Sequence, residues 1–361
     1  MKLRNVFFGK TVLITGHTGF KGTWLSAWLS SLGASVVGIA LDPPTSPSMF
    51  HAMSDEMNLR DIRLDIRNKT ELMNVVSSVS PDFVFHLAAQ SLVKVSYQSP
   101  IETWEVNLLG TVNMLEALRL LRKKCVAVFI TSDKCYDNKE WVWGYRENDR
   151  LGGSDPYSGS KGGAELAIRS YVESFFKDKS LIHVASARAG NVIGGGDWAD
   201  DRIVPDAVKA WSAGRKLELR APYSTRPWQH VLEPLGGYLL LAAKLDSNLH
   251  LHGESFNFGP NDSKSHTVLD LVEEMGKSWP GSGWNIHEQI CAHSGESRLL
   301  KLNCDKAQLE LGWSSALNFE KTVKMTTDWY MNYLHNPSNV YGQTSDQIKQ
   351  YQKLVEEHWG V

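Results

Sequence analysis

Residues 11–22 of the sequence read TVLITGHTGFKG, a short apolar run followed by Gly16, Gly19 and Gly22. The run predicts a strand, and the apolar spacing over Thr23–Leu32 predicts a helix directly after the glycines. Glycines at such a junction let a diphosphate approach the backbone and the helix N-terminus, where a Cβ would block it. The stretch therefore predicts a dinucleotide-binding turn; the alternative is a structural glycine turn without a ligand.

Apolar, β-branched runs alternate with helical patterns through the first half of the chain. Strands are predicted at Thr11–Thr15, Ser35–Leu41, Leu59–Leu64, Phe83–Leu87, Val126–Thr131 and Ile182–Ala187. Helices are predicted at Thr23–Leu32, Lys69–Val79, Glu102–Leu121 and Tyr157–Phe176. Because this alternation is typical of parallel sheets covered by helices, we predict an α/β protein with a Rossmann-type doubly wound sheet.

The sequence changes character after Arg188, where glycines and prolines break it into short elements. The exceptions are a helix near Val231–Leu245 and a strand near Phe256–Gly259, which could return to the main sheet. We predict two interleaved domains. The nucleotide-binding domain comprises residues 1–187 with about 229–260, and a smaller mixed α/β substrate-binding domain comprises about 188–228 with 261–361.

The composition restricts the partners of this 361-residue chain. Lys and Arg total 38 against 40 Asp and Glu, so no overall positive field attracts nucleic acid or an anionic membrane. The four cysteines lie too far apart for a metal-binding pair, and no Cys/His cluster has metal-ligand spacing. The most apolar stretch, around Tyr238–Leu245, is too short for a membrane span. We predict a cytoplasmic protein without a metal site.

Asp42 stands at the end of the second predicted strand, where a carboxylate would accept hydrogen bonds from an adenosine ribose. The same charge would repel a 2′-phosphate, and no arginine follows within Pro43–Ser46 to neutralise one. Asp42 therefore favours NAD over NADP. The alternative is a turn residue before proline.

The segment YSGSK brings Tyr157 and Lys161 to the same face of one helical turn, in the helix that follows the fifth strand. Two unit charges about 4 Å apart at an effective dielectric constant of about 20 interact by roughly 4 kcal/mol. We therefore expect Lys161 to lower the pKa of the Tyr157 phenol towards neutrality, as a general base requires. The alternative is an exposed helical pair.

Several features together carry a family resemblance. They are the three glycines, Asp42, Asp65, the strand end His86–Gln90, Asn107 and the Tyr157/Lys161 pair. This set resembles the extended short-chain dehydrogenase/reductase family over essentially the whole chain. The strings GHTGFKGTW, TSDKCYDN, YSGSK, AGNVIGGGDWADDRIVPD and TRPWQHVLEPL resemble its nucleotide-sugar 4,6-dehydratases, with CDP-glucose as the implied substrate.

The resemblance implies a redox-neutral lyase with bound NAD. Such an enzyme oxidises C4 of the glucose, eliminates water across C5 and C6, and returns the hydride to C6, which would yield CDP-4-keto-6-deoxyglucose. The implied pathway leads to dideoxyhexoses of lipopolysaccharide O-antigen. The implied cofactor contacts are Gly16, Thr18, Gly19, Phe20, Gly22, Asp42, Asp65, Ala88, Ala89, Asn107, Tyr157 and Lys161.

The expected catalytic residues are Ser132, Asp133, Lys134, Tyr157 and Lys161. Tyr157 would remove the C4 hydroxyl proton, and Ser132 would hydrogen-bond the same oxygen. Asp133 and Lys134 would divide the acid and base roles of the elimination. The resemblance favours Lys134 as the base at C5 and Asp133 as the acid at the C6 oxygen, although related dTDP-sugar dehydratases carry an Asp-Glu pair here. The opposite assignment fits ordinary ionisation better and stays open, as does a solvated loop ion pair.

Arginines suit the diphosphate of the substrate. By position in the family's motifs, the expected ligands are Asn191, Arg226 and Arg298, with Arg202 as a fourth candidate. In the family, the helices matching residues 102–121 and 157–176 pair across a two-fold axis. This implies a homodimer, with Leu109, Val112, Leu115, Leu166 and Phe175 on the shared surface; the alternative is that these residues belong to the intrachain core.

Two other functions are compatible with parts of this pattern. A nucleotide-sugar 4-epimerase shares NAD, Ser132, Tyr157 and Lys161, but it needs no acid-base pair at C5 and C6. A non-catalytic NAD-binding regulatory protein keeps the fold without the chemistry. The Asp133-Lys134 pair argues against the epimerase, and the intact serine, tyrosine and lysine argue against the regulator.

Overall fold

A computed structural model describes residues 2–177, 181–261, 265–286 and 299–359. Its strands are β1 (Thr11–Thr15), β2 (Ser35–Ala40), β3 (Leu59–Arg63), β4 (Phe83–His86), β5 (Cys125–Ile130), β6 (Ile182–Ala189), β7 (Val192–Ile193), β8 (Leu217–Leu219), β9 (Thr225–Arg226), β10 (Gln229–His230), β11 (Ser255–Phe258), β12 (His266–Thr267) and β13 (Trp284–Ile286). Its α-helices are α1 (Leu3–Phe7), α2 (Phe20–Ser31), α3 (Met49–Met53), α4 (Lys69–Val79), α5 (Val93–Gln98), α6 (Pro100–Trp104), α7 (Gly110–Arg119), α8 (Pro156–Phe175), α9 (Ile203–Ser212), α10 (Leu232–Ser247), α11 (Val268–Gly276), α12 (Phe319–His335) and α13 (Val340–Trp359).

Seven strands form one parallel sheet in the order β11-β6-β5-β4-β1-β2-β3. From β1 the chain proceeds through β2 and β3 to one edge of the sheet, and β4 then lies on the other side of β1. The connections that follow β1 and β4 therefore leave in opposite directions. In open α/β sheets, ligands bind at the carboxyl ends of the strands beside such a reversal. The predicted Rossmann-type sheet is confirmed, and its topology places the glycine turn after β1 at the binding crevice.

Helices cover both faces of the sheet. Leu72 of α4, Met114 of α7 and Ile168 of α8 pack on one face. Trp28 of α2 and Leu240 of α10 belong to the larger core on the other face. Because central strands of such a sheet are buried on both sides, their sequences are continuously apolar rather than alternating. No α-helix within the described ranges is long and apolar enough to cross a bilayer.

The chain after β6 builds a second, smaller part. β11 returns to the main sheet and pairs in parallel with β6. The short pairs β7/β10, β9/β12 and β8/β13 lie outside that sheet, with α9 packing on β8 and on α11. This mixed arrangement agrees with a smaller α/β domain, while the domain boundaries stay a prediction.

The helix predicted for residues 102–121 is present as one helical stretch over residues 100–119, and it contains a π-helical turn. α6 ends at Trp104, a π-helical turn covers Glu105–Leu109, and α7 begins at Gly110. The residues expected on the shared surface differ in exposure. Leu109, Leu166 and Phe175 are 52%, 57% and 53% exposed, and Val112 is half-buried. Leu115 is fully buried in the core between α7 and the sheet and belongs to the chain's own interior.

Candidate active site

The glycine turn joins β1 to α2. Gly16 has a φ of 77°, and a Cβ there would lie 2.8 Å from the backbone nitrogen of Ala88. A Cβ on Gly22 would lie 2.1 Å from the carbonyl oxygen of Gly16, so both positions require glycine. α2 begins at Phe20, earlier than predicted, with Gly19 as an N-cap that offers no side chain. The first N–H groups of α2 are therefore available to an anion.

Two more residues of the turn fix it to its neighbours. The Thr18 hydroxyl donates a hydrogen bond to the carbonyl oxygen of Leu41, at 3.0 Å, and so ties the turn to the end of β2. The ring of Phe20 lies against Gly194, in the loop after β7. The turn is thus held between the main sheet and the second part of the chain.

Ala88 and Ala89 belong to the loop that follows β4, and Asn107 contacts that loop from the helical segment before α7. Ala88 and Ala89 are half-buried beside the glycine turn. The buried Asn107 amide accepts from the backbone N–H of Gln90 at 2.9 Å, and it donates to the carbonyl of Gln90 at 3.0 Å and to the Ser160 hydroxyl at 2.9 Å. Asn107 therefore holds the loop after β4 against α8.

The ends of β2 and β3 form a charged surface region. Asp42 has a side chain that is 92% exposed, and its Oδ1 lies 3.8 Å from Nε of Arg63. Arg63 also pairs with Asp61 at 2.8 Å. Asp65 pairs with Arg67 at 2.6 Å, and the hydrogen bond from Arg67 holds the pKa of the Asp65 carboxyl below its usual value. The sequence around Asp42 did not indicate Arg63 because this arginine comes from the neighbouring strand.

Ser132, Asp133 and Lys134 follow β5 directly. The Ser132 hydroxyl donates to Oδ1 of Asp133 at 2.9 Å, and Nδ2 of Asn191 donates to Oδ2 at 3.3 Å. Asp133 is only 3% exposed, and its carboxylate occupies the space that a Cβ on Gly190 would need. Lys134 is half-buried, in a single 3₁₀ turn. Asp133 is thus held by contacts on both oxygens, while no described side chain is bonded to the Lys134 ammonium.

Tyr157 and Lys161 lie in the first turns of α8, which Asp155 caps through the N–H of Ser158. Burial raises the pKa of Tyr157 to about 12, although a hydrogen bond with Ser132 acts in the opposite direction. The expected lowering of this pKa is therefore wrong for the protein alone. Burial also lowers the pKa of Lys161 to about 8, against the charge of Glu165. Both groups are buried at the same edge of the sheet as Ser132.

The candidate substrate ligands are only partly brought together. Arg202 forms an ion pair with Asp197 at 2.6 Å, and its charge acts on Tyr157, so it lies near this candidate catalytic residue. Asn191 contacts Asp133, as described above. Arg226 lies in β9 and donates to the carbonyl of Thr225 at 2.8 Å. Arg298 lies outside the described residues. Asp133 also lines a pocket with Gly190, Pro227, Gln229 and Lys301, which places it at an opening between the main sheet and the second part.

Lys21 is a charged residue of the site that the sequence analysis did not single out. It is the second residue of α2, one turn before Trp24, whose Nε1 donates to the carbonyl of Gly195 at 2.9 Å. Burial lowers the pKa of Lys21 to about 8, an effect that Arg202 strengthens and Asp133 opposes. Its ammonium has no hydrogen bond or ion pair with any described residue. The sequence feature that could have identified Lys21 is its position between Gly19 and Gly22, where a positive charge can contact a bound phosphate.

This combination of a glycine turn, a Tyr157/Lys161 helix and a serine after β5 defines a nucleotide-dependent α/β protein of the type that the sequence resembles. The sequence pattern of the family described as GDP-mannose 4,6-dehydratase matches residues 13–326, and the chain belongs to that family. It is 45% identical to the CDP-glucose 4,6-dehydratase of Salmonella typhimurium, over 92% of this chain and 93% of that protein. It is 24% identical to the dTDP-glucose 4,6-dehydratase of Haemophilus influenzae, over 89% and 97%. The predicted resemblance to nucleotide-sugar 4,6-dehydratases is confirmed.

Solved structures share the fold. The dTDP-glucose 4,6-dehydratase of Bacillus anthracis in complex with NAD superposes with a TM-score of 0.73 at 22% identity, covering 90% of this chain and 97% of that one. The UDP-glucose 4-epimerase of Thermotoga maritima, with UDP-glucose, has a TM-score of 0.75 at 20% identity, covering 90% and 99%. Dehydratases and epimerases thus have the same architecture, and the residues at the site must distinguish them.

Proposed function

We propose that the protein is an NAD-dependent hydro-lyase that converts CDP-D-glucose to CDP-4-keto-6-deoxy-D-glucose and water. One observation carries the proposal. Ser132, Asp133 and Lys134 follow β5 at the carboxyl edge of the sheet, where Tyr157 and Lys161 are also buried. An alcohol oxidation at C4 and an elimination at C5 and C6 need these five groups. The 45% identity to a CDP-glucose 4,6-dehydratase supports the same substrate.

The residues present fit NAD. Gly16 and Gly22 leave no space for a Cβ, and the first N–H groups of α2 lack a side-chain cap, as a diphosphate requires. Thr18, Phe20, Ala88 and Ala89 would surround it, Asn107 would hold the loop beside it, and Lys21 would add a positive charge. Asp42 and Asp65 would receive the adenosine, while Tyr157 and Lys161 would face the nicotinamide ribose. When bound, NAD supplies a hydride acceptor for C4 and a donor for C6.

Tyr157 is the proposed base at the C4 hydroxyl. In the protein alone, burial opposes its phenolate form, so positive charge must be added to the site before the proton moves. Lys161 supplies part of that charge while it is protonated. The Ser132 hydroxyl, which now bonds Asp133, would turn to the C4 oxygen and polarise the ketone as it forms.

Asp133 and Lys134 are the proposed pair for the elimination. A C4 ketone acidifies the C5 proton, and Lys134 would accept that proton in its neutral form. The C6–O bond breaks as Asp133 donates its proton to that oxygen, so water leaves and a C5=C6 double bond forms. When Ser132 turns to the C4 oxygen, the carboxylate of Asp133 loses one of its two hydrogen bonds. The reverse assignment is an outcome of the experiments below.

The substrate diphosphate would be held by Asn191, Arg202, Arg226 and Arg298. The proposal includes a homodimer through the helices of residues 102–121 and 157–176, which contact each other and carry the exposed Leu109, Leu166 and Phe175. Joining apolar faces of this kind across a two-fold axis removes them from water. The cytoplasmic location and the place in O-antigen synthesis stay predictions.

The second candidate is a nucleotide-sugar 4-epimerase, since the epimerase of Thermotoga maritima has the same fold. The Asp133-Lys134 pair speaks against it, because an epimerase moves no proton at C5. A non-catalytic NAD-binding protein needs none of the five catalytic groups, and all five are present.

The test is to incubate the purified protein and NAD with CDP-glucose and to follow the alkali-induced absorbance of a 4-keto sugar. The proposal requires that absorbance and no net NADH. A stable mixture of CDP-hexoses would identify the epimerase, and cofactor binding without turnover would identify the regulator. Parallel reactions with dTDP-, GDP- and UDP-glucose measure which nucleotide base of the substrate the protein accepts.

A further inference from the structure

A buried ion pair lies beneath the catalytic residues and takes no part in the chemistry proposed above. Nη2 of Arg188, in β6, donates to Oε2 of Glu165, in α8, at 2.8 Å, and both side chains are 3% exposed. Glu165 follows Lys161 by one helical turn on α8. The pair thus connects the catalytic helix to the centre of the sheet.

Each member of the pair contacts one end of the catalytic segment, defined here as Ser132–Cys135. The hydroxyl of Thr131, immediately before the segment, donates to Oε1 of Glu165 at 2.5 Å. Nη1 of Arg188 donates to the phenol oxygen of Tyr136, immediately after the segment, at 2.7 Å. The guanidinium also lies over the Tyr136 ring, 5.0 Å from its centre. One ion pair therefore holds both flanks of the segment that carries Ser132, Asp133 and Lys134.

Two serines add hydrogen bonds to the pair. Ser186 donates to Oε2 of Glu165 at 2.9 Å, and Ser255 lies 3.3 Å from the same oxygen and 3.1 Å from Nη2 of Arg188. These serines are in β6 and β11, away from the catalytic segment. Like Thr131, each serine hydroxyl contacts the Glu165 carboxylate. Unlike Thr131, neither serine is adjacent to the catalytic segment.

A buried ion pair is a weak source of stability, because desolvation of the two charges offsets their attraction, and apolar side chains of similar volume often stabilise a core equally well. Its directional hydrogen bonds provide geometry instead. Here they join α8, β5 and β6, the three elements that carry the catalytic tyrosine, the serine and, two residues beyond β6, Asn191.

We propose that Glu165 and Arg188 are positioning residues that clamp the catalytic segment at Thr131 and Tyr136 and set its distance from Tyr157 and Lys161. The proposal rests on the dehydratase function for its kinetic consequence only. Small displacements of catalytic groups are costly, and a shift of about 1 Å can lower a rate by about a hundredfold.

The test uses Thr131→Val and Tyr136→Phe, which keep the shape of each side chain and remove its hydrogen bond to the pair. We expect each to lower kcat for keto-sugar formation about tenfold, with KM for CDP-glucose changed less than twofold, because positioning acts on the reacting atoms rather than on binding. Ser255→Ala is the matched control and should keep kcat within about twofold. Thr131→Ser retains the hydroxyl and should restore activity. Equal losses in Thr131→Val and Ser255→Ala, or no rescue by Thr131→Ser, would overturn the proposal.

Hydrogen exchange supplies a readout that does not depend on the reaction. In Thr131→Val and Tyr136→Phe, the amides of residues 132–136 should exchange faster than in the native protein, while Ser255→Ala leaves them unchanged. If the native protein forms no keto sugar, the proposed function fails, but the exchange pattern still tests the clamp. Unchanged exchange over residues 132–136 in both variants would refute it.

Discussion

The two ends of the proposed cofactor cleft differ in how far their titratable side chains are buried. At the catalytic end, Asp133, Tyr157 and Lys161 are 3%, 8% and 6% exposed. At the end where we propose that the adenosine binds, called the adenosine end here, the side chains of Asp42 and Arg63 are 92% and 35% exposed, and they interact through surface ion pairs. Burial changes proton affinities and enforces geometry, whereas exposed pairs contribute about 0–1 kcal/mol each. Substitutions at the catalytic end should therefore alter rates strongly, and those at the adenosine end should alter affinity weakly.

The largest effect is expected for Tyr157→Phe. Without the phenol no group removes the C4 hydroxyl proton, so kcat should fall by about 10³-fold, within the range for losing a general base. Binding of CDP-glucose, measured by calorimetry, should stay within a few-fold because the ring and its packing remain. Substantial turnover in Tyr157→Phe would mean that the buried end does not control the rate, and the contrast between the two ends would be lost.

The elimination pair comes next. In Lys134→Met we expect C4 oxidation to continue while exchange of the C5 proton with solvent stops, because the base is gone but Tyr157 and Ser132 are intact. Lys134→Glu should retain part of the elimination, since a carboxylate can also accept the proton. Asp133→Asn should keep C5 exchange and lose water release. Deuterium incorporation followed by mass spectrometry separates these steps.

The opposite result assigns the roles the other way. Loss of C5 exchange in Asp133→Asn, with exchange unaffected in Lys134→Met, would make Asp133 the base. The hydrogen bonds from Ser132 and Asn191 would then hold the Asp133 carboxylate in place before it accepts the proton.

A pH profile measures how burial acts at the catalytic end. Burial lowers the pKa of Lys161 to about 8, so in the free enzyme its charge is complete below that pH and is lost above it. Because the charge favours the Tyr157 phenolate, kcat/KM should fall about tenfold per pH unit above about pH 8. Lys161→Arg should move the fall to higher pH, and Lys21→Met should leave it in place. A fall that follows Lys21 instead would contradict this assignment.

The difference between the two ends also explains what the sequence could predict. Strand β1, the glycine turn and the YSGSK helix are local patterns, so the sheet and the expected residues at its edge followed from spacing and apolar runs. The pKa of Tyr157 did not, because it depends on burial by residues distant in the chain. The expected cause was the charge of Lys161, yet burial has the largest effect on this pKa, and the positive charge that opposes it comes from Arg202.

Contacts between elements that are distant in the chain could not be predicted from the sequence either. Arg63 comes to Asp42 from a neighbouring strand, and Glu165 meets Arg188 across the sheet, so no sequence spacing indicates either pair. The π-helical turn at Glu105–Leu109 within the predicted 102–121 helix likewise leaves no clear signal in an amphipathic pattern, since it inserts one residue without changing composition. Lys21 could be seen in the glycine motif, but the sequence did not indicate that it lies near the proposed catalytic residues.

Lys21 lies in α2 near the proposed catalytic residues, and its replacement should show an intermediate effect. Replacing this unpaired ammonium in Lys21→Met should weaken binding of NAD and of ADP-ribose about tenfold, because one charge-assisted contact to the diphosphate is lost. Tryptophan fluorescence or calorimetry at two salt concentrations measures this, and Lys21→Arg is the charge-retaining control. A loss of CDP affinity with unchanged ADP-ribose affinity would assign Lys21 to the substrate instead.

The smallest effect is expected at Asp42. Asp42→Ala removes an exposed carboxylate, so NAD affinity should fall only about fivefold, the value of one or two solvent-accessible hydrogen bonds. The same change removes the charge that repels a 2′-phosphate and leaves Arg63, now 3.8 Å from that carboxylate, to meet one, so NADP affinity should rise. The double variant Asp42→Ala/Arg63→Met should lose the gain in NADP affinity while keeping the loss for NAD. If Asp42→Ala instead abolishes NAD binding, the adenosine end is as tightly specified as the catalytic end, and exposure is not what separates them.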